Sequence, residues 1–129
     1  MSNLNFKREF NSTIDEAIDR ATVALASEGF GILTRVDMHV KIKEKLNKDI
    51  IPTVILGACN PNFAFQGYIL NSDISALVPC NAVVREITPG RISVEFVKPS
   101  ALVQILGDER LTELAHEGDA AIERALRNV

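Results

Sequence analysis

Long apolar runs, a basic excess and a closely paired cysteine motif are all missing from this chain, and each absence removes a class of function. None of the apolar runs in its 129 residues is long enough to span a bilayer. Lysine and arginine number 14 against 17 aspartates and glutamates, for a net charge of −3. A nucleic-acid or anionic-membrane surface would need a clear basic excess, so neither partner is expected. Met1 to Phe10 is charged and alternating, which is not a signal-peptide pattern. The two cysteines, Cys59 and Cys80, lack the CxxC spacing of a thioredoxin-like or zinc-knuckle site. Two cysteines without a secretion signal point to free thiols in a reducing cytoplasm. No Ser-His-Asp order, phosphate loop or paired-carboxylate pattern occurs, and Gly29-Phe30-Gly31 is a helix exit rather than a dinucleotide fingerprint. Repeats, low-complexity tracts and linkers are absent too. Residues 1–129 fit a single domain that buries roughly two-thirds of its unfolded surface.

Charge itself is missing over one long stretch. Ile50 to Val84 carries a single formal charge, Asp73, and holds both cysteines. An exposed surface would carry several more charges over that length. The segment therefore belongs to a core, a subunit contact or a pocket.

The rest of the chain divides by periodicity. Leu4, Phe6 and Phe10 alternate with polar residues as a half-buried strand, with Arg8 breaking the pattern. Thr13 and Glu16 form a capping box for a helix over Ile14–Glu28, with Gly29 as its left-handed exit. Phe30, Ile32, Thr34 and Val36 alternate as a second strand, and Asp37 caps a short helix, Met38–Leu46. Ile50–Cys59 is a third strand. Asn60 and Pro61 start a helix holding Phe63, Phe65, Tyr68, Ile69 and Leu70, which do not fall on one stripe. Ile74–Val84 leads into a fourth strand. Thr88-Pro89-Gly90 turns into a fifth, with Ile92, Val94 and Phe96 alternating. Asp108 caps a last helix running to Leu126, where Gly118 allows close backbone approach. The expected fold class is α+β: a largely antiparallel sheet of about five strands with the two main helices on one face. The other face should meet a partner or the Phe63–Leu70 segment.

Several motifs together resemble a prokaryotic family known only as domain of unknown function 302. They are Glu28-Gly29-Phe30-Gly31-Ile32-Leu33-Thr34, Asp37 with Lys43-Glu44-Lys45-Leu46, Ile55-Leu56-Gly57-Ala58-Cys59-Asn60-Pro61, and Leu77-Val78-Pro79-Cys80-Asn81. Val78 stands where the family often has a second leucine. The resemblance runs from Phe6 to about Leu106. It implies a TATA-binding-protein-like β-α-β4-α outline and a homodimer, and brings no activity, cofactor or catalytic residue.

The residues that could carry chemistry are Cys59, Asn60, Cys80, Asn81 and His39. Cys59 precedes the cap of a helix whose N-terminus favours a thiolate. The commoner reading of a free cysteine is a small buried residue, here at a strand end. If its strand and that of Cys80 are antiparallel neighbours, the two thiols approach each other. If Asn62–Asp73 is a crossover between parallel strands, they lie apart. Neighbouring thiols could hold a metal. Asn60 and Asn81 could instead bond nearby backbone. His39, with Ile42 and Leu46 on a helix flank, could complete a Cys–His site. His116 falls on a polar helix face. Lys41, Lys45 and Lys48 share one side of the second helix and read as a solvated face. Three classes of function follow: a dimeric binding or accessory module, a cysteine-based enzyme acting through Cys59, or a structural module with core cysteines.

Overall fold

A computed structural model describes residues 3–129, so Met1 and Ser2, at the start of the charged N-terminal stretch, lie outside it. Five strands form one antiparallel sheet: β1 (Asn5–Asn11), β2 (Gly31–Asp37), β3 (Thr53–Cys59), β4 (Cys80–Thr88) and β5 (Arg91–Val97). Their order across the sheet is β1-β5-β4-β3-β2. The helices are α1 (Ile14–Ser27), α2 (Met38–Leu46), α3 (Pro61–Leu70), α4 (Pro99–Leu106) and α5 (Thr112–Arg127). None of the described helices is long and apolar enough to cross a membrane.

The expected α+β architecture is present, with α1 and α5 on one face. Period-2 alternation decides which face that is. Val54, Leu56 and Ala58 of β3, Ala82 and Val84 of β4, and Ile92, Val94 and Phe96 of β5 are buried in one cluster with Ala17, Ile18, Leu25, Ile122 and Ala125. Because β1 and β2 lie at opposite edges, α1 must cross the sheet between them. On the uncovered face the strands carry ion pairs: Lys7–Glu9 at 3.2 Å, Arg91–Glu9 at 3.8 Å and Arg85–Glu95 at 2.6 Å.

The start and stop signals act as their chemistry requires. Thr13 Oγ1 accepts from the Glu16 amide at 3.2 Å. Gly29 ends α1 with φ +84°, a conformation that favours glycine. The β4–β5 turn places Gly90 at φ +81° after Pro89.

Arg8, which interrupted the β1 pattern, has a structural task. It projects toward the helical layer between Phe6 and Phe10 and donates to the carbonyls of Leu126, Arg127 and Val129 at 3.3, 3.2 and 2.6 Å. Arg20 of α1 donates to the Val129 carbonyl at 3.0 Å. The two guanidinium groups lie 5.5 and 4.3 Å from the Phe10 ring centre. Cations suit both the negative end of α5 and the aromatic face.

Four expectations need correction. The Phe30–Val36 alternation does not keep one face, because the β2–β3 register shifts between Ile32 and Thr34. Ile32 lies opposite Ala58 on the helical side, while Thr34 lies opposite Gly57 on the other. The Phe63–Leu70 helix does not cover the open face. Asn60 donates to the Glu28 carbonyl at 3.2 Å, which draws α3 to the helical side, and Phe63 packs beside Phe30 with ring centres 6.1 Å apart. Asp108 caps a 3-10 turn, Glu109–Leu111, and α5 begins after it at Thr112. Finally, α4 and a second 3-10 turn, Ser72–Ala76, occupy stretches that gave no helical reading. The cap of α4 is remote: Asp119 of α5 accepts from the Ser100 amide and hydroxyl at 2.9 and 2.5 Å.

Candidate functional site

The uncharged segment folds back on itself at the end of the sheet where β3 stops and β4 starts. These strands are antiparallel neighbours, and Cys80 lies opposite Ala58. Strand spacing and rise put the Cys59 and Cys80 α-carbons roughly 6 Å apart. Both cysteines are free and half-buried. Above them, α3, the Ser72–Ala76 turn, α4 and α5 border a partly open cavity of about 70 Å³, with both cysteines in its wall. That is several times the roughly 10–15 Å³ that admits one water.

The wall is apolar. Phe30, Phe63, Leu102 and Leu114 supply its large side chains, and no Asp, Glu, Lys, Arg or His lines it. Small residues leave the space open. Gly118 sits under Pro99, and a Cβ there would come within 3.1 Å of the ring carbons. The approach at that glycine is by a proline ring rather than by backbone.

Asn60 lines the cavity, but both ends of its amide are engaged. Its Oδ1 accepts from the Asn62 and Phe63 amides at 3.0 and 3.3 Å, and its Nδ2 holds the Glu28 carbonyl. The Ala64 amide bonds to the Asn60 carbonyl at 2.9 Å, and Pro61 has no N–H. The first donors of α3 are therefore taken, and Cys59 gains only the general field of the helix end. Burial pushes the Cys80 thiol up to about 11, and the neighbouring Cys59 adds to the shift. Cys80 is thus a neutral thiol at pH 7.

The other two candidates lie elsewhere. Asn81 follows Cys80 by one residue, so alternation turns it to the uncovered face, where it lies opposite Gly57 and is exposed. His39 bonds through Nδ1 with the backbone of Thr53 at 3.1 Å, at the far end of β3. Six residues of strand separate Thr53 from Cys59, roughly 20 Å. His39 and the cysteines do not meet. Among the described residues no group of three or more His, Cys, Asp or Glu is placed to hold a metal ion. The lysines of α2 face solvent, where Lys41 pairs with Glu44 at 3.7 Å and Lys43 with Asp49 at 3.2 Å.

Phe30, Leu102, Leu114 and Pro99 were not singled out as site residues from the sequence. One local signal was available: Pro99 followed by Ala101, Leu102, Val103, Ile105 and Leu106, a proline start before an apolar run.

An open antiparallel sheet with its helices on one face and a thiol-bearing apolar cavity at one end defines a small α+β module. The model of a domain of unknown function, DUF302, matches residues 6–129, and the chain belongs to that family. The chain is also similar to a solved structure, the crystal structure of an uncharacterized conserved DUF302 protein from Bacillus stearothermophilus. The TM-score is 0.90 and the identity 28%, over 98% of each chain. No curated protein matches the sequence.

Proposed function

We propose that this chain is a single-domain, cytoplasmic binding or accessory module whose ligand site is the cavity at Cys59 and Cys80. One observation carries the reading: an uncharged cavity whose two thiols come from neighbouring strand ends. A general acid–base enzyme needs a titratable group within hydrogen-bond reach of its substrate, and no carboxylate or histidine lines this wall. A cysteine nucleophile needs a base beside it and donors for an oxyanion; here the first amides of α3 are already bonded. A structural module with core cysteines would be expected to pack the same space closed. The acidic balance supports a site that does not serve nucleic acid.

The test uses benzene and xenon, which enter small apolar cavities. Both should raise the melting temperature in proportion to their concentration. Ala64→Leu, which adds bulk to the wall, should abolish the shift. No shift in the wild-type chain, with no perturbation of NMR signals around Cys59, would overturn the cavity reading.

The module also acts as a homodimer through α3. Phe65, Tyr68 and Ile69 are 66%, 55% and 65% exposed on its outer side. The wild-type chain should sediment as a dimer at micromolar concentration. Phe65→Glu should give monomers or insoluble protein, because it puts a charge on the exposed apolar side of α3. A wild-type monomer at that concentration would remove the dimer.

A further inference from the structure

We infer that the cavity is a site for a thiophilic monovalent d10 metal ion, Cu(I), held between the sulfurs of Cys59 and Cys80. The inference rests on the proposed cavity reading, since the ion must enter the same space. It goes further by naming what the two thiols hold.

The donor set decides the kind of ion. Hard cations need six or more oxygens, and the wall offers no carboxylate. Zinc takes four ligands, commonly sulfur and nitrogen, and no third His, Cys, Asp or Glu joins the two cysteines among the described residues. Asn60, the remaining polar side chain of the wall, has both ends of its amide engaged. Two sulfurs alone suit a soft ion that is satisfied by linear coordination. Such an ion needs sulfurs on the order of 4.5 Å apart, twice a metal–sulfur bond. Cys59 is the last residue of β3 and Cys80 the first of β4, and both line the one cavity, which brings the two sulfurs to a common space.

The surroundings suit the product. Two thiols and one cation give a linear bis-thiolate and two protons, which pass to solvent; the metal is neither oxidised nor reduced. The complex carries one negative charge spread over two large sulfurs. It lies beside the N-terminus of α3, a ten-residue helix whose positive end favours that charge. The wall itself offers no carboxylate or histidine that would complete a higher coordination. Free thiols in a reducing compartment also match the oxidation state of this ion.

The experiment is anaerobic titration of the whole chain with Cu(I) against a chromophoric Cu(I) chelator. Expected are one ion per chain and an X-ray absorption spectrum with two sulfur neighbours and no nitrogen. Cys59→Ser and Cys80→Ser should each weaken binding by more than the roughly 100-fold that loss of an outer partner of a metal site costs. Zn(II) should not compete. Retention by either variant, two ions per chain, or equal binding of Zn(II) would each overturn the proposal. The absorption spectrum is read on the wild-type chain, so it decides even if a serine variant misfolds. Benzene binding without Cu(I) binding would sink this inference alone. Exclusion of both would sink the cavity reading with it.

Discussion

The helical layer meets the sheet in two ways. Over the middle of β4 and β5 it is packed shut: Val84, Ile92, Val94 and Phe96 are at most 1% exposed beneath α1 and α5. Over the ends of β3 and β4 it stands off and leaves the cavity. Both regions are apolar, so hydrophobicity does not separate them. The fit of large to small side chains does. In the closed region Val84, Ile92, Val94 and Phe96 of the strands share one cluster with Ala17, Ala21, Ala121 and Ala125 of the helices; in the hollow one Ala58, Ala64, Ala115, Gly118 and two cysteines border the gap. Close packing needs bulk on one side to fill what short side chains leave on the other. Where both sides are short, a neighbour must close in, as the Pro99 ring does on Gly118, or space remains.

The largest test of this contrast is a pair of truncations. Phe96→Ala should cost about 3–5 kcal/mol, the range for a phenylalanine removed from a closed core. Cys80→Ala should cost less than about 2 kcal/mol, because its site already borders empty space. Urea unfolding of both variants makes the comparison, and equal costs would erase it.

A smaller effect follows from pH. The Cys80 thiol is raised from 9.0 to about 11 in the folded chain. Below pH 9 it is protonated in both states and its contribution is complete. Above 9 the unfolded chain ionises first, so stability is lost as pH rises through 9 to 11. The stability of the wild-type chain over Cys80→Ala should shrink by up to about 3 kcal/mol across that window. A constant difference would show that the thiol is not shielded from water.

The smallest is a cap. Asn60→Ala should cost about 1 kcal/mol through the lost N-cap of α3. It should also weaken benzene binding, because Asn60 ties α3 to the end of α1. A stability loss without a binding loss would mean that the cavity does not depend on that tie.

The closed region was the more legible half in the sequence. Its strand β5 alternates from Ile92 to Phe96, and α1 carries its own cap and exit within seventeen residues, Thr13 to Gly29. The hollow half was legible only in outline. The missing charge between Ile50 and Val84 located it, and Asn60-Pro61 placed α3. What completes its wall is not local: α4 is capped by Asp119, 19 residues away from Ser100. The paired Cys-Asn dipeptides look alike, yet one ends a strand and caps a helix while the other opens a strand and sends its asparagine to the opposite face. The β2 bulge leaves no mark in the sequence for a related reason. Alternation reports a face only while the pairing register holds, and nothing near Leu33 announces the shift.

The borrowed cap of α4 sets how that helix breathes. Lys98, at its N-cap position, gives no side-chain bond, so the side-chain cap of α4 comes from Asp119 of α5. Losing that contact frees one wall of the cavity without breaking any hydrogen bond between strands. Amide hydrogens of α4 should therefore exchange through a local opening well below the free energy of global unfolding, while those of β4 and β5 exchange only with the whole molecule. How fast a solute reaches the two cysteines is then governed by a serine–aspartate contact rather than by the stability of the fold.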